Sequence, residues 1–254
     1  MNSSWVKYLI AFPILILWLT GCATQPEKPA GNWKLHYRLG TSYFMQKKYP
    51  QAVAELNRAL ALKPDEPRVM DALGLVFYAR QDLSRAMSYF RKVLEIDPKF
   101  SQTHNNLGSI YWRLGRWDEA IREFSLALAD PIYLTPEAAY NNRGVAYLAQ
   151  GKLDAAVQDF RRAVDVKPDF GQARHNLGLA LLRRNRVGEA INQLEFALKV
   201  GPVTPRMRLN LAQAYLRNNQ RSKAVQQLTR VVDDASDAEI AGQARALLDR
   251  LNKD

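Results

Sequence analysis

The sequence predicts an all-α solenoid: six similar helical hairpins stacked side by side and closed by one further helix. Two columns of small residues carry the prediction. Gly40, Gly74, Gly108, Gly144 and Gly178, with Ala212 in the sixth place, recur at intervals of 34, 34, 36, 34 and 34 residues, and Ala52, Ala86, Ala120, Ala156, Ala190 and Ala224 keep the same intervals. A fixed period of this size marks a repeat array, in which each unit buries its apolar face against its neighbours. No segment of any length alternates with the two-residue period of a strand.

Composition agrees with a folded body. With 254 residues, 47% hydrophobic and 24% charged, the chain is too apolar to be disordered and too polar to span a membrane many times. A single cysteine excludes an intramolecular disulfide, and His36, His104 and His175 have no ligand spacing, so no metal or other cofactor is expected.

The elements follow in chain order. Lys7 precedes an apolar run from Tyr8 to Leu19, too short to cross a bilayer comfortably and fitting a secretory signal. The run ends in Leu19-Thr20-Gly21-Cys22, which resembles the lipobox of bacterial lipoproteins; the other reading is an uncleaved N-terminal anchor. The resemblance implies a signal peptide over 1–21, lipidation of Cys22 and, because Ala23 rather than Asp follows, a Gram-negative outer-membrane address facing the periplasm. Several acyl chains hold firmly where one holds weakly. Residues 22–32, with Pro26, Pro29 and Gly31, read as a tether able to reach roughly 30 Å.

Units are expected at 33–66, 67–100, 101–136, 137–170, 171–204 and 205–238, and a capping helix and tail over 239–254. Between the small columns stand Tyr43, Phe77, Tyr111, Tyr147, Leu181 and Tyr215; four places beyond each column alanine stand Leu56, Phe90, Phe124, Phe160, Leu194 and Leu228. The Gly and Ala columns are expected to let the first helix of each unit (A) approach the second (B), with the aromatic filling the space beside them. Ser84, Asp118, Asp154 and Ser222 are expected to cap helix B, Pro50 taking that slot in the first unit. Pro64, Pro98, Pro168 and Pro202 end it. This pattern resembles the tetratricopeptide (TPR) repeat and implies a right-handed superhelical solenoid of six helix pairs plus a C-terminal capping helix.

The third unit carries two extra residues. Its junction, Ala127-Leu128-Ala129-Asp130-Pro131-Ile132-Tyr133-Leu134-Thr135-Pro136-Glu137 followed by Asn141 and Asn142, resembles that of the type IV pilus biogenesis lipoproteins PilF and PilW, although Arg143 replaces their usual Leu. A tolerated loop insertion is the plainer reading.

In a TPR superhelix the residue two before each Gly faces the groove. Here Asn106, Asn142, Asn176 and Asn210 form a column able to donate to and accept from a peptide backbone, unless they bond internally. Tyr37, Phe44, Tyr78, Trp112 and Leu148 add apolar surface to the groove, or simply core. The lysine and asparagine set of a carboxylate clamp is not supplied by three consecutive units. Between residues 171 and 232 eleven Lys or Arg face only Glu189 and Glu195; Arg183, Arg184, Arg186, Arg206 and Arg217 form a basic patch suited to an acidic protein surface, anionic lipid or cell-wall polymer.

The resemblance implies a membrane-anchored protein-interaction scaffold assisting type IV pilus assembly, as secretin pilotin or pilus stability factor. Its partner would be a secretin subunit or pilus component, with membrane contact through the lipid and neither nucleic acid nor small-molecule substrate. An adaptor for cell-wall enzymes, of the NlpI kind, is the alternative. An enzyme is remote: no acid–base pair, activated nucleophile or phosphate-cradling loop appears.

Overall fold

The computed structural model describes residues 31–234 and 236–253. Cys22 and the signal segment lie outside them. The described residues form thirteen α-helices and no strand: α1 (Trp33–Met45), α2 (Tyr49–Leu62), α3 (Pro67–Ala79), α4 (Leu83–Ile96), α5 (Ser101–Arg113), α6 (Trp117–Leu128), α7 (Pro136–Ala149), α8 (Leu153–Val166), α9 (Gly171–Arg183), α10 (Val187–Val200), α11 (Pro205–Arg217), α12 (Arg221–Asp234) and α13 (Ala238–Leu251). Odd and even helices pair as antiparallel hairpins, each packing on the next.

The glycine column works by close approach, but its partner differs from the expectation. A Cβ on Gly108 would stand 2.7 Å from Phe124, and one on Gly144 2.7 Å from Phe160. The large residue four places past the alanine therefore lies over the glycine, and the aromatic of the first helix sits elsewhere. Phe90, Phe124 and Phe160 are fully buried there; removing one such ring typically costs about 3–5 kcal/mol.

The other aromatic column ends helix A. Lys47, Gln81, Gly115, Gly151, Asn185 and Asn219 all have positive φ, and the N–H of the following residue reaches back to the column carbonyl, as from Lys48 to Tyr43 at 2.9 Å and from Gln220 to Tyr215 at 2.8 Å. This is the Schellman cap, which satisfies carbonyls that the helix leaves unpaired.

That tight turn also shifts the start of helix B. Ser84, Asp118, Asp154 and Ser222 are second residues of their helices and not caps. The cap position holds Asp82, Arg116 and Lys152, of which only Asp82 accepts a backbone N–H, from Arg85 at 3.0 Å. Asp118 and Asp154 contribute instead as first-turn anions near the positive end of the helix. Helices α2, α4, α8 and α10 stop two residues before Pro64, Pro98, Pro168 and Pro202, as expected.

The two extra residues fall between α6 and α7. Tyr133 is buried and pins this connection, leaving Ile132 and Leu134 80% and 93% exposed.

Candidate protein-binding groove

The first helices of the middle units line a concavity of about 380 Å3. Tyr78 comes from α3, Ser109 and Trp112 from α5, Asn142 and Val145 from α7, and Gln172 and Asn176 from α9. Tyr78 and Trp112 each stand four residues past the column glycine and project from successive A helices on one face, which is why they meet here. Trp112 is 42% exposed, and the Arg113 guanidinium lies 5.2 Å from the Tyr78 ring. Such a surface accepts an apolar side chain between two aromatic rings while amides border it.

Four of the residues singled out in the sequence thus meet: Tyr78, Trp112, Asn142 and Asn176. The others do not join them. Tyr37 packs with Trp33 at 6.3 Å between ring centres, and Phe44 with Tyr49 at 6.2 Å, both against the core of the first two units. Leu148 packs on the C-terminal core.

The asparagine column is stitched into the fold. Asn106 donates to Asp71 at 3.1 Å, Asn142 to Asn105 at 3.2 Å and Asn176 to Asn141 at 2.9 Å, while Asn210 bonds His175 at 3.2 Å. Each amide nitrogen reaches the residue three before the small column in the preceding unit. Asn106 is buried and so does not present itself to the groove. The physical reason is satisfaction: adjacent A helices bury polar side chains that need a partner. Burial pushes the Asp71 carboxyl above its ordinary value, although Thr103 and Asn106 bond it. Burial likewise lowers His175.

A second set of polar pairs latches helix A to helix B within a unit. His36 meets Glu55 at 2.6 Å, His104 meets Glu123 at 2.7 Å, Arg174 meets Gln193 at 2.8 Å and Arg208 meets Gln227 at 3.1 Å, always nineteen residues apart. The sequence signal was the fixed offset, masked because the residue types change.

The basic patch is partly neutralised. Arg184 pairs with Asp154, and Arg186 holds both oxygens of Glu189 at 2.6 Å. Arg217 bonds Asn185 at 3.3 Å and Arg206 bonds Gln243 at 3.5 Å. Arg183 makes no ion pair or hydrogen bond among the described residues and stays exposed.

Comparison with known proteins places this architecture. Models described as the tetratricopeptide repeat match residues 32–99, 77–131, 137–170 and 175–239. The chain belongs to the tetratricopeptide repeat family. Among TPR proteins it is similar to the type IV pilus assembly protein PilF of Pseudomonas aeruginosa, 26% identical over 137 residues that make up 51% of this chain and 54% of that protein. It is also 32% identical to the lipoprotein NlpI homolog of Haemophilus influenzae over 90 residues, 35% of this chain and 29% of that one. The matched segments therefore span about half or less of these relatives. The solved structure of Pseudomonas aeruginosa PilF superposes with a TM-score of 0.78 at 19% identity, covering 84% of this chain and 96% of that one. PilW, described as a widely conserved type IV pilus biogenesis factor, gives 0.75 at 22% identity, covering 86% and 100%. At these identities the superpositions establish the shared TPR fold.

Proposed function

We propose that this TPR scaffold is an outer-membrane lipoprotein, anchored through Cys22 and facing the periplasm, whose groove grips a polypeptide segment of the type IV pilus machinery. The partner is a secretin subunit or a pilus component, and the role is that of pilotin or pilus stability factor. One observation carries the reading: on the shared TPR fold, the chain is similar in sequence to the type IV pilus assembly protein PilF, 26% identical over 137 residues. The concavity between Tyr78 and Trp112 supplies the grip. The anchor supplies delivery, because several acyl chains hold a cargo at the bilayer.

The test uses Trp112→Ala, which removes an exposed ring from the groove. Partner capture by crosslinking in the parent cells is expected to fall at least about tenfold, as for a buried aromatic anchor, with helical circular dichroism unchanged. Undiminished capture of secretin or pilus protein moves the contact off the groove. Cys22→Ser is expected to release the protein from the membrane fraction; unchanged fractionation counts against acylation.

A second reading rests on the similarity to the NlpI homolog, which favours an adaptor for cell-wall enzymes. Crosslinked wall hydrolases in place of secretin would decide for it.

A further inference from the structure

A cleft apart from the groove gathers cations from three helices. Lys199 on α10, Arg208 on α11 and Arg230 on α12 line a space of about 310 Å3 that shares no residue with the groove. Leu198 and Leu211 add apolar surface to its lining, with Tyr215 and Gln227 beside them. Its single carboxylate, Glu195, is already engaged: it accepts from the Tyr215 hydroxyl at 2.6 Å and faces Lys223 at 4.0 Å. None of the three lining cations has a carboxylate within 4.0 Å among the described residues, and Arg208 is held from one side by the Gln227 carbonyl oxygen at 3.1 Å.

The other units do not repeat this arrangement. The slot of Lys199 holds Glu95, Asp165 and Asp233 in the second, fourth and sixth units and alanine in the first and third. In the fifth unit the latch arginine, Arg174, lies against the ring of Phe196 at 4.0 Å, and Phe196 occupies the slot that Arg230 holds in the sixth. Among the described residues, the cations converge without a carboxylate partner where the fifth unit meets the sixth.

We infer that this cleft binds a phosphoryl group through Lys199, Arg208 and Arg230. Three lining cations against one carboxylate, which Lys223 also faces, leave an excess of at least two positive charges, suited to a dianion. Their approach from three helices suits a tetrahedral anion, which offers oxygens in several directions, better than a planar carboxylate, which offers two in one plane. The leucines give apolar surface to whatever carries the phosphoryl group. A free phosphate and the headgroup of a phosphomonoester lipid share this chemistry.

The test is calorimetric titration of the full chain with inorganic phosphate at constant ionic strength set by chloride. Saturable binding at one site is expected. Lys199→Glu, which installs the acid that other units carry in that slot, is expected to weaken it at least about tenfold, the range for a charge-assisted contact; Arg230→Gln acts in the same direction from an exposed position. Arg186→Gln, outside the cleft, leaves affinity unchanged. A second arm titrates dihexanoyl phosphatidic acid below its micelle concentration: tighter binding than phosphate assigns a lipid headgroup, and equal binding assigns free phosphate. No saturable heat with phosphate, equal affinity in Lys199→Glu, or succinate binding as well as phosphate would overturn the inference.

Discussion

His104 has acceptors on both sides of its ring. Nδ1 lies 2.7 Å from a Glu123 carboxylate oxygen and Nε2 lies 3.0 Å from the Pro98 carbonyl. The carbonyl and an ionised carboxylate both accept, so this geometry favours the doubly protonated ring. Burial alone would lower its pKa, but Glu123 and the Pro98 carbonyl outweigh that and raise it above the ordinary 6.5. A histidine with a raised folded value stabilises fully below 6.5, and that contribution disappears as pH climbs through the folded value. His175, lowered by burial, works in the opposite sense, losing its contribution as pH falls through its depressed value. Subtracting a variant isolates the first effect. His104→Gln is expected to cost about 1–2 kcal/mol below pH 6.5, the worth of hydrogen bonds to a charged group, and progressively less in alkaline buffer. Denaturant melts at several pH values check this, and a cost that does not shrink with pH contradicts the charged ring. None of this was legible in the sequence, where a lone histidine declares neither its carboxylate nor its carbonyl.

Pairs of helices carry the next level, and α7 with α8 departs from the pattern. Elsewhere the residue before the small column is leucine; here it is Arg143, which holds Asp159 through two bonds of 2.7 and 2.9 Å and also donates to Ser125 at 2.9 Å. The side chains are only 15% and 5% exposed. Arg143→Leu restores the repeat leucine yet leaves Asp159 buried without its cation, so a loss of about 3–5 kcal/mol is expected. Adding Asp159→Gln, the residue that Gln193 and Gln227 supply in the next two units, is expected to recover that loss to within about 1 kcal/mol or exceed it, because a desolvated ion pair is replaced by a neutral side chain. Urea unfolding of parent, single and double variants measures both steps; a single variant as stable as the parent would remove the pair from the account of the fold. At this scale the sequence was readable wherever one residue type repeats. The Gly, Ala and Phe columns and the terminating prolines could be placed directly. The Schellman turns could not, because Lys47, Gln81, Gly115 and Asn185 share a backbone conformation and not a side chain. The asparagine column was visible, but its acceptors, Asp71, Asn105, Asn141 and His175, change from unit to unit, so the internal bonding hid behind an apparent ligand ladder.

Across the whole molecule the apolar core is uneven. One block of buried residues runs from Ala52 to Phe90 and takes in Ile110, another runs from Ala156 to Ala244, and only smaller clusters around Phe124 and Tyr133 lie between. Where the third unit meets the fourth, polar contacts accompany these smaller apolar clusters: Asn142 to Asn105, Arg143 to Ser125 and Gln150 to Asp118. In a repeat array stability is close to a sum of unit and nearest-neighbour terms, so an array whose buried apolar core is divided is expected to open at the division. Hydrogen exchange read by mass spectrometry is expected to resolve two protected blocks, α1–α5 and α8–α13, exchanging as separate cooperative units, with α6 and α7 losing protection earliest. The groove straddles that seam, since its walls come from α3, α5, α7 and α9. A segment bound there touches both blocks, and because it binds the closed array alone it must stabilise the seam by linkage. Protection in α6 and α7 is therefore expected to rise when the groove is filled and to rise less in Trp112→Ala. Uniform exchange along all thirteen helices, unaffected by the partner, would mean that the array opens as one body and that the division of its core has no part in binding.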